Sequence, residues 1–341
     1  MENSYFIYTD QGADLEIERF HICTWEFKNN SAFIEFGCEV TSRSIFDKAS
    51  IQFELFIPWF KESCTIKDFY DKLKESQNSR FIFNDSITQS TFLDGGRNVS
   101  GVIHKFSDRD ELCILPIQLK ENYEKNVISL SVNLELYNRF YDEKEERPNI
   151  YFRFAVTPKN GLIATRKNGI TKSTILYDIK LNQRRNIPES LIDEIIFKDL
   201  CPVAKCFCFN IIPNSYDLVF FDSSTLKNVR TLEYKSFKKY INDDRLKEDD
   251  LIVVFNKKER LDAYAFFSIF SKEHIGADQF ALALLISLVS GILLFIPSYK
   301  ISLGQDITYY ELWPKMPALF WVVVGLVFIE LIYFIWRKFK K

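Results

Sequence analysis

Histidine is almost absent from this chain of 341 residues: His21, His104 and His274 are the three, well separated in sequence. A histidine-based metal site or a nucleophile–histidine relay therefore has little material. Glycine-rich phosphate loops are missing too, both G-x-x-x-x-G-K-[ST] and G-x-G-x-x-G, as are H-E-x-x-H and G-x-S-x-G. On these grounds no catalytic residue, metal ligand or cofactor is expected, and the chain reads as something other than an enzyme. An excess of one charge is also lacking. Lys and Arg number 44 against 46 Asp and Glu, a net charge of −2, so nothing in the bulk charge favours direct DNA binding.

Two further absences concern compartment. The start, Met1-Glu2-Asn3-Ser4-Tyr5, lacks a basic stretch followed by an apolar one, so the N-terminal region is expected in the cytoplasm. The seven cysteines, an odd number at irregular spacing, then read as reduced apolar side chains rather than disulfides. Cys201, Cys206 and Cys208 come nearest to a metal pattern. Cys206 and Cys208, however, lie two apart in an apolar strand, and no fourth ligand follows.

What the chain does have is phenylalanine, 33 of them, and two apolar runs near its end. Residues 280–296 (FALALLISLVSGILLFI) carry no charge and span about 25 Å as a helix. Residues 318–336 (ALFWVVVGLVFIELIYFIW) span about 28 Å. Residues 278–341 are therefore expected to form a hairpin of two transmembrane helices. Lys258, Arg260 and Lys272 precede the first run and Arg337, Lys338, Lys340 and Lys341 follow the second, whereas residues 297–317 hold only Lys300 and Lys315. The positive-inside rule puts both termini of this multi-pass arrangement in the cytoplasm and the connecting loop outside. Tyr299, Tyr309, Tyr310, Trp313 and Trp321 supply the outer aromatic belt, and Tyr333 and Trp336 the inner one. Ala283, Ser287 and Gly291 recur every four residues, a stripe suited to close helix approach onto Gly325 of the same chain or onto another protomer. Glu330 is a carboxylate in an apolar run, which either snorkels toward Arg337 or serves assembly.

Elsewhere apolar residues alternate with period two. Residues 127–137 (VISLSVNLELY) and the series Ile51, Phe53, Leu55, Ile57 show it, and residues 20–27 and 32–40 flank a hairpin turn at Lys28-Asn29-Asn30-Ser31. The fold class expected is mainly β, an antiparallel β-sandwich or partly open barrel with a few helices. One helix is expected from Thr65, with Ile66, Phe69, Tyr70 and Leu73 on one stripe, and another after Pro188, with Leu191, Ile192, Ile195, Ile196 and Leu200. The polar run 141–149 is either a long hairpin loop or the boundary between a β-rich domain, 1–145, and a second β-rich subdomain, 146–257. Lys159-Asn160-Gly161 and Lys167-Asn168-Gly169 signal tight turns in a β-meander over 150–179. Strands are also expected at 205–212, 217–221 and 251–255. Residues 260–273 (RLDAYAFFSIFSKE) read as an aromatic helix within a juxtamembrane helix, 258–277, with Gly276 as a hinge.

Lys159, Arg166, Lys167 and Lys172 sit on or beside the two turns, and Arg184 and Arg185 follow. Together they form a candidate site for a phosphate-bearing ligand, against the plainer roles of solubility or attraction to an anionic leaflet. The whole layout resembles the two-helix membrane effectors of bacterial anti-phage systems, in which a cytoplasmic sensor module is fused to a transmembrane hairpin. That resemblance implies a location in a bacterial inner membrane, a nucleotide signal or protein partner, a homo-oligomer in the lipid bilayer, and damage to that membrane. A scaffold with a passive anchor and a membrane-tethered enzyme are the competing readings.

Overall fold

A computed structural model describes residues 3–28, 31–93, 101–141, 146–159, 163–169, 171–247, 250–273, 277–304 and 307–339, with side chains for all but 277–278 and 333–339. The chain divides into two compact units, one of Met1–Asn168 and Thr174–Lys272, the other of Gly169–Ser173 and Glu273–Lys341.

The first half begins with strands β1 (Asn3–Asp10), β2 (Ile17–Glu26), β3 (Ala32–Val40), β4 (Ser50–Phe56) and β5 (Thr65–Asp68). Short helices α1 (Tyr70–Leu73) and α2 (Ser76–Phe83) follow, then β6 (Ile87–Phe92), β7 (Val102–Phe106), β8 (Leu112–Ile114), β9 (Gln118–Asn122) and β10 (Val127–Asn133). After α3 (Glu135–Tyr141) come β11 (Asn149–Thr157), β12 (Thr165–Asn168) and β13 (Lys172–Leu181). Helix α4 (Glu189–Ile195) leads to β14 (Lys198–Leu200), β15 (Val203–Pro213), β16 (Asp217–Phe221) and β17 (Leu226–Thr231). Helix α5 (Tyr234–Ile241) precedes β18 (Leu251–Glu259) and β19 (Tyr264–Glu273), and α6 (Ala277–Leu303), α7 (Tyr309–Leu312) and α8 (Ala318–Phe339) complete the order.

The strands form two mixed sheets stacked as a sandwich. One runs β16-β19-β13-β1-β4-β10-β9, with β14 also on β1; the other runs β17-β18-β15-β2-β3-β11-β8-β7-β6, with β5 also on β11. Alternation decides which side chains meet between them. Phe36 of β3 packs its ring 5.4 Å from Tyr5 of β1, and Phe53 of β4 lies 5.4 Å from Phe152 of β11. Each such fully buried side chain contributes roughly 1.5–3 kcal/mol by leaving water. Most neighbours are antiparallel, as expected, but β1–β13, β2–β15 and β8–β11 are parallel. The second sheet is covered on its other face as well. Phe69, Tyr70 and Leu73 from the α1 region and Phe237, Tyr240 and Ile241 of α5 pack on Trp25, Phe33, Tyr151 and Ala155. As a result, all nine residues of β3 are buried.

Several expectations need correction. No boundary falls at 145/146: β11 pairs with β3 along seven residue positions, and β1 with β13, so residues 1–145 and 146–257 share both sheets. The juxtamembrane helix of 258–277 does not form; residues Tyr264–Glu273 are strand β19, antiparallel to β16. Tyr264, Phe266 and Phe270 alternate into the core, and aromatic residues suit that pleated surface better than a helix. Thr65 opens β5, not a helix, because residues 65–68 pair with β11; the carboxylate of Asp68 instead accepts the Tyr70 N–H at 3.0 Å, at the start of α1. Strand β10 stops at Asn133, whose side chain accepts the Glu135 N–H at 2.8 Å and turns the chain into α3. The meander over 150–179 is broken, since β11 lies in one sheet and β13 in the other. Strand β12 does lead to β13, but Asn168 is the last residue of β12 and neither it nor Gly169 has a positive φ; the Gly169 N–H donates to Lys172 O at 2.8 Å, and Ile170 lies outside the described residues. Asn160-Gly161, residues 142–145 of the polar run and Gly276 lie outside the described residues.

In the second unit, α6 is long and apolar enough to cross a membrane, and none of its most apolar stretch is buried. That exposure is at odds with a soluble core helix. It continues through Pro297 to Leu303, so the expected loop begins later than residue 297. The second apolar run is helical as α8, but with Tyr309–Lys315 bent 98° from Ala318–Ile332 only α6 passes as a clear span among the described residues. The two helices meet near their connection, where Ile292, Ile296 and Tyr299 pack against Leu312, Met316 and Phe320. Tyr299 Oη donates to Lys315 O at 2.9 Å.

One glycine is required by a close approach. Gly37 of β3 lies opposite both His21 and Arg153, and a Cβ there would run into the Tyr151 hydroxyl and come within 3.2 Å of His21 Nδ1. Gly37→Ala is expected to destabilise the full chain by about 1–3 kcal/mol through overpacking. Thermal unfolding in detergent checks this; a melting temperature equal to the wild type's would show that Tyr151 gives way freely.

Candidate functional site

None of the six basic residues singled out from the sequence lines a described cavity. Arg166 is withdrawn from solvent because Glu26, 1 % exposed in β2, needs a counter-charge; the two form an ion pair. Lys159, Lys167, Lys172, Arg184 and Arg185 are exposed. Turn propensity located the hairpin between β12 and β13, but loop charges converge only if the loops do. Of the apolar-run residues, Ala283, Ser287 and Gly291 are exposed along α6, and Ser287 and Gly291 line a 390 Å³ groove with Phe295 and Phe320. Gly291 does not pack on Gly325: a Cβ at either would touch nothing. Glu330 is half-buried, with Oε2 unpartnered among the described residues. The side chains of Tyr333, Trp336, Arg337 and the tail lysines lie outside the description.

A different set of side chains converges on the helix-covered face of the larger sheet. There β2 presents Arg19, His21, Cys23 and Trp25, since its alternate residues, Phe20 and Ile22, fill the sandwich core. Parallel pairing sets His21 beside Phe207, Cys23 beside Phe209 and Trp25 beside Ile211 of β15. Antiparallel pairing then places Phe255 of β18 opposite Phe209. Above this floor is a cavity of 460 Å³, walled by the end of α2 (Phe81 to Asn84), Arg109 and Phe237, with Lys227, Asn228 and Arg230 of β17 on another side. Asn84 closes α2 in the left-handed conformation (φ 52°), which Asn tolerates better than most residues.

The electrostatics are one-sided. Arg19, Arg109, Arg153, Lys227 and Arg230 line the cavity, and no carboxylate does. The carboxylates lie behind, on β3. Glu39 accepts from Arg109 Nη2 at 3.2 Å and from Asn149 Nδ2 at 2.9 Å, with Arg19 Nε 3.5 Å away. Glu35, with no solvent exposure, accepts from Arg153 Nε at 2.6 Å. Burial pushes the Glu35 carboxyl up, against the pull of Arg153. The Arg109 guanidinium lies over the Phe83 and Phe106 rings, 4.9 and 5.1 Å from their centroids.

Two reactive residue types share the cavity but are held quiet. Burial and the charges of Arg153, Arg19 and Arg109 push the His21 imidazole well down, so it stays neutral, with Nδ1 3.2 Å from the Tyr151 hydroxyl. The Cys23 thiol, 2.9 Å from Arg153 Nη2, is pushed by burial up to about 12. What the cavity presents to a ligand is therefore guanidinium donors and aromatic faces. Cys201, Cys206 and Cys208 are buried in the sandwich core, and among the described residues no group of three or more His, Cys, Asp or Glu could hold a metal ion.

Sequence reading missed all five cavity cations because they come from separate elements. One signal was available: Arg19 and Trp25 alternate on what looked like the solvent face of β2, and a tryptophan there argues that the face is covered.

No family model and no curated protein matches the sequence. Among solved structures, a candidate protease from Parabacteroides distasonis aligns over 82% of this chain at 11% identity and TM-score 0.31, and this chain spans 44% of that one. A likeness so slight carries no argument about fold or activity.

The Glu26–Arg166 pair gives the β unit a pH dependence. Burial raises the Glu26 carboxyl from 4.5 to about 7, outweighing Arg166. A proton is therefore held more tightly in the folded chain than in the unfolded one. Its stabilising contribution is complete below pH 4.5 and is lost as pH rises to about 7. Comparing thermal stability of the full chain with that of Glu26→Gln between pH 5 and 7.5, we expect the wild type to decline by up to about 3 kcal/mol more than the variant. Parallel profiles would remove Glu26 as the titrating group.

Proposed function

We propose that this chain is a membrane-anchored sensor and effector: the β unit binds an anionic signal in the cavity, and the C-terminal helices then assemble to perturb the inner membrane. The observation that carries the reading is a ligand-sized cavity lined by five cations and no carboxylate, in a chain that also has a helix fit to cross a membrane. The resemblance in layout to two-helix anti-phage effectors agrees with it. On this reading α8 is a second span, both termini face the cytoplasm, and the basic tail sits at the inner leaflet. Ser287 and Gly291 border an unfilled apolar groove, so that face of α6 is open to another protomer or to lipid.

Inducible expression in a bacterium carrying a membrane-potential dye tests the proposal. The full chain is expected to depolarise the membrane, and Gly291→Leu, at a position where an added Cβ meets no neighbour within the chain, to abolish that effect at equal expression and insertion. Depolarisation unchanged by Gly291→Leu would remove this face from the mechanism. Activity that survives replacing residues 277–339 with an unrelated anchor would instead make the protein a scaffold.

A further inference from the structure

The cavity's own chemistry narrows its ligand. We infer that it binds a nucleoside monophosphate, the base lying on the phenylalanine floor and the phosphate among the guanidinium groups. The inference rests on the sensor reading for its biological meaning, and on the cavity alone for its chemistry.

The floor is a row of nearly parallel, stacked rings. Phe209 and Phe255 lie 4.6 Å apart at an interplanar angle of 4°, and Phe207 and Phe255 5.9 Å apart at 8°. Parallel rings this close are stacked on one another, so the row offers ring edges and its outermost face, against which a planar base can pack edge-to-face or extend the stack. The surrounding charge suits phosphate. Glu39 serves two guanidiniums, Arg19 and Arg109, whereas Glu35 serves Arg153 and Glu233 serves Arg230 at 2.9 Å. Lys227 adds a further cation. Five positive groups held by three carboxylates leave an excess of two, which matches a phosphate monoester dianion. The Nε atoms of Arg19 and Arg109 are also buried without a hydrogen-bond partner. Those atoms have no surface open to the cavity and Arg19 Nε lies 3.5 Å from Glu39, so an anion there would meet the terminal nitrogens of the two guanidiniums. At 460 Å³ the space lies toward the small end of ligand sites, about 300–1,000 Å³, which fits one nucleotide and not a chain of them.

The test is calorimetric titration of the full chain in detergent with AMP, GMP, CMP and UMP, and with each nucleoside and inorganic phosphate separately. At least one monophosphate is expected to bind ten or more times more tightly than its nucleoside or phosphate alone. Lys227→Ala, which removes an exposed side chain, and Phe255→Leu should each weaken that binding about tenfold while leaving the unfolding temperature close to wild type. No tighter binding of any monophosphate than of phosphate, or wild-type binding by both variants, overturns the inference. Membrane depolarisation by Lys227→Ala separates this failure from that of the sensor reading. If the monophosphates fail but Lys227→Ala abolishes depolarisation, the cavity senses an anion of other chemistry. If a monophosphate binds as expected and the full chain never depolarises cells, the ligand stands and the effector role falls.

Discussion

Glu35 and Glu39 are carboxylates on a sheet face that helices α2 and α5 help to cover, and much of the β unit's construction answers that placement. A buried carboxylate left unpaired costs several kcal/mol, and even a paired one repays its desolvation only when geometry is good and the remaining lone pairs are satisfied. The chain supplies the counter-charges with arginines from three separate elements, Arg19 in β2, Arg153 in β11 and Arg109 between β7 and β8, although Glu35 Oε1 makes no hydrogen bond among the described residues. These strands must lie side by side for the pairs to form, so the charge pattern reinforces the order β2-β3-β11-β8-β7 that apolar alternation alone would leave less defined. Gly37 belongs to the same solution. Without a side chain between Glu35 and Glu39 in β3, the Tyr151 hydroxyl and His21 can approach over it.

The cavity is a consequence of this arrangement. Guanidiniums drawn to the sheet by buried carboxylates are fixed in place during folding, with their remaining N–H groups directed by the pairs they already make. An incoming anion meets donors whose ordering cost was met earlier, and that is the general basis of preorganised binding. The same geometry quiets Cys23 and His21. A thiol beside a guanidinium is ordinarily activated, but here burial outweighs that charge and the proton stays on sulfur.

How much of this the sequence revealed varied with the range of the interaction. Strands β2, β3, β4, β15, β16 and β18 and helix α4 were legible because alternation and a preceding proline are local signals. Strand β19 was misread because Tyr264 to Glu273 is rich in aromatics that fit either period over so short a window, and only pairing with β16 settles which one holds. The parallel contacts β1–β13 and β2–β15 join residues more than 170 positions apart and leave no local trace. The cavity cations escaped the sequence reading for a related reason. Proximity in sequence linked Lys159, Arg166, Lys167 and Lys172, whereas the cations that do converge are spread from Arg19 to Arg230 and are gathered by strand order. A charged residue such as Glu35, alternating with apolar neighbours, looks solvent-facing until the helices that cover it are known.

The loss of the expected juxtamembrane helix changes the mechanical argument for a sensor. A helix joined through Gly276 would absorb motion at its hinge. Instead, β18 contributes Phe255 to the cavity floor, a tight turn at Arg260 (φ 58°) reverses the chain, and β19 runs to Glu273, with α6 beginning at Ala277. In sequence the cavity strand β18 is thus followed directly by β19, which lies in the other sheet of the sandwich. Strand β19 is hydrogen-bonded to β16 and lies beside β13, which resists bending and favours displacement of the strand as a unit. On the proposed reading, a ligand that shifts Phe255 acts first on β18, and any displacement must cross from one sheet to the other through the turn at Arg260 before it reaches β19.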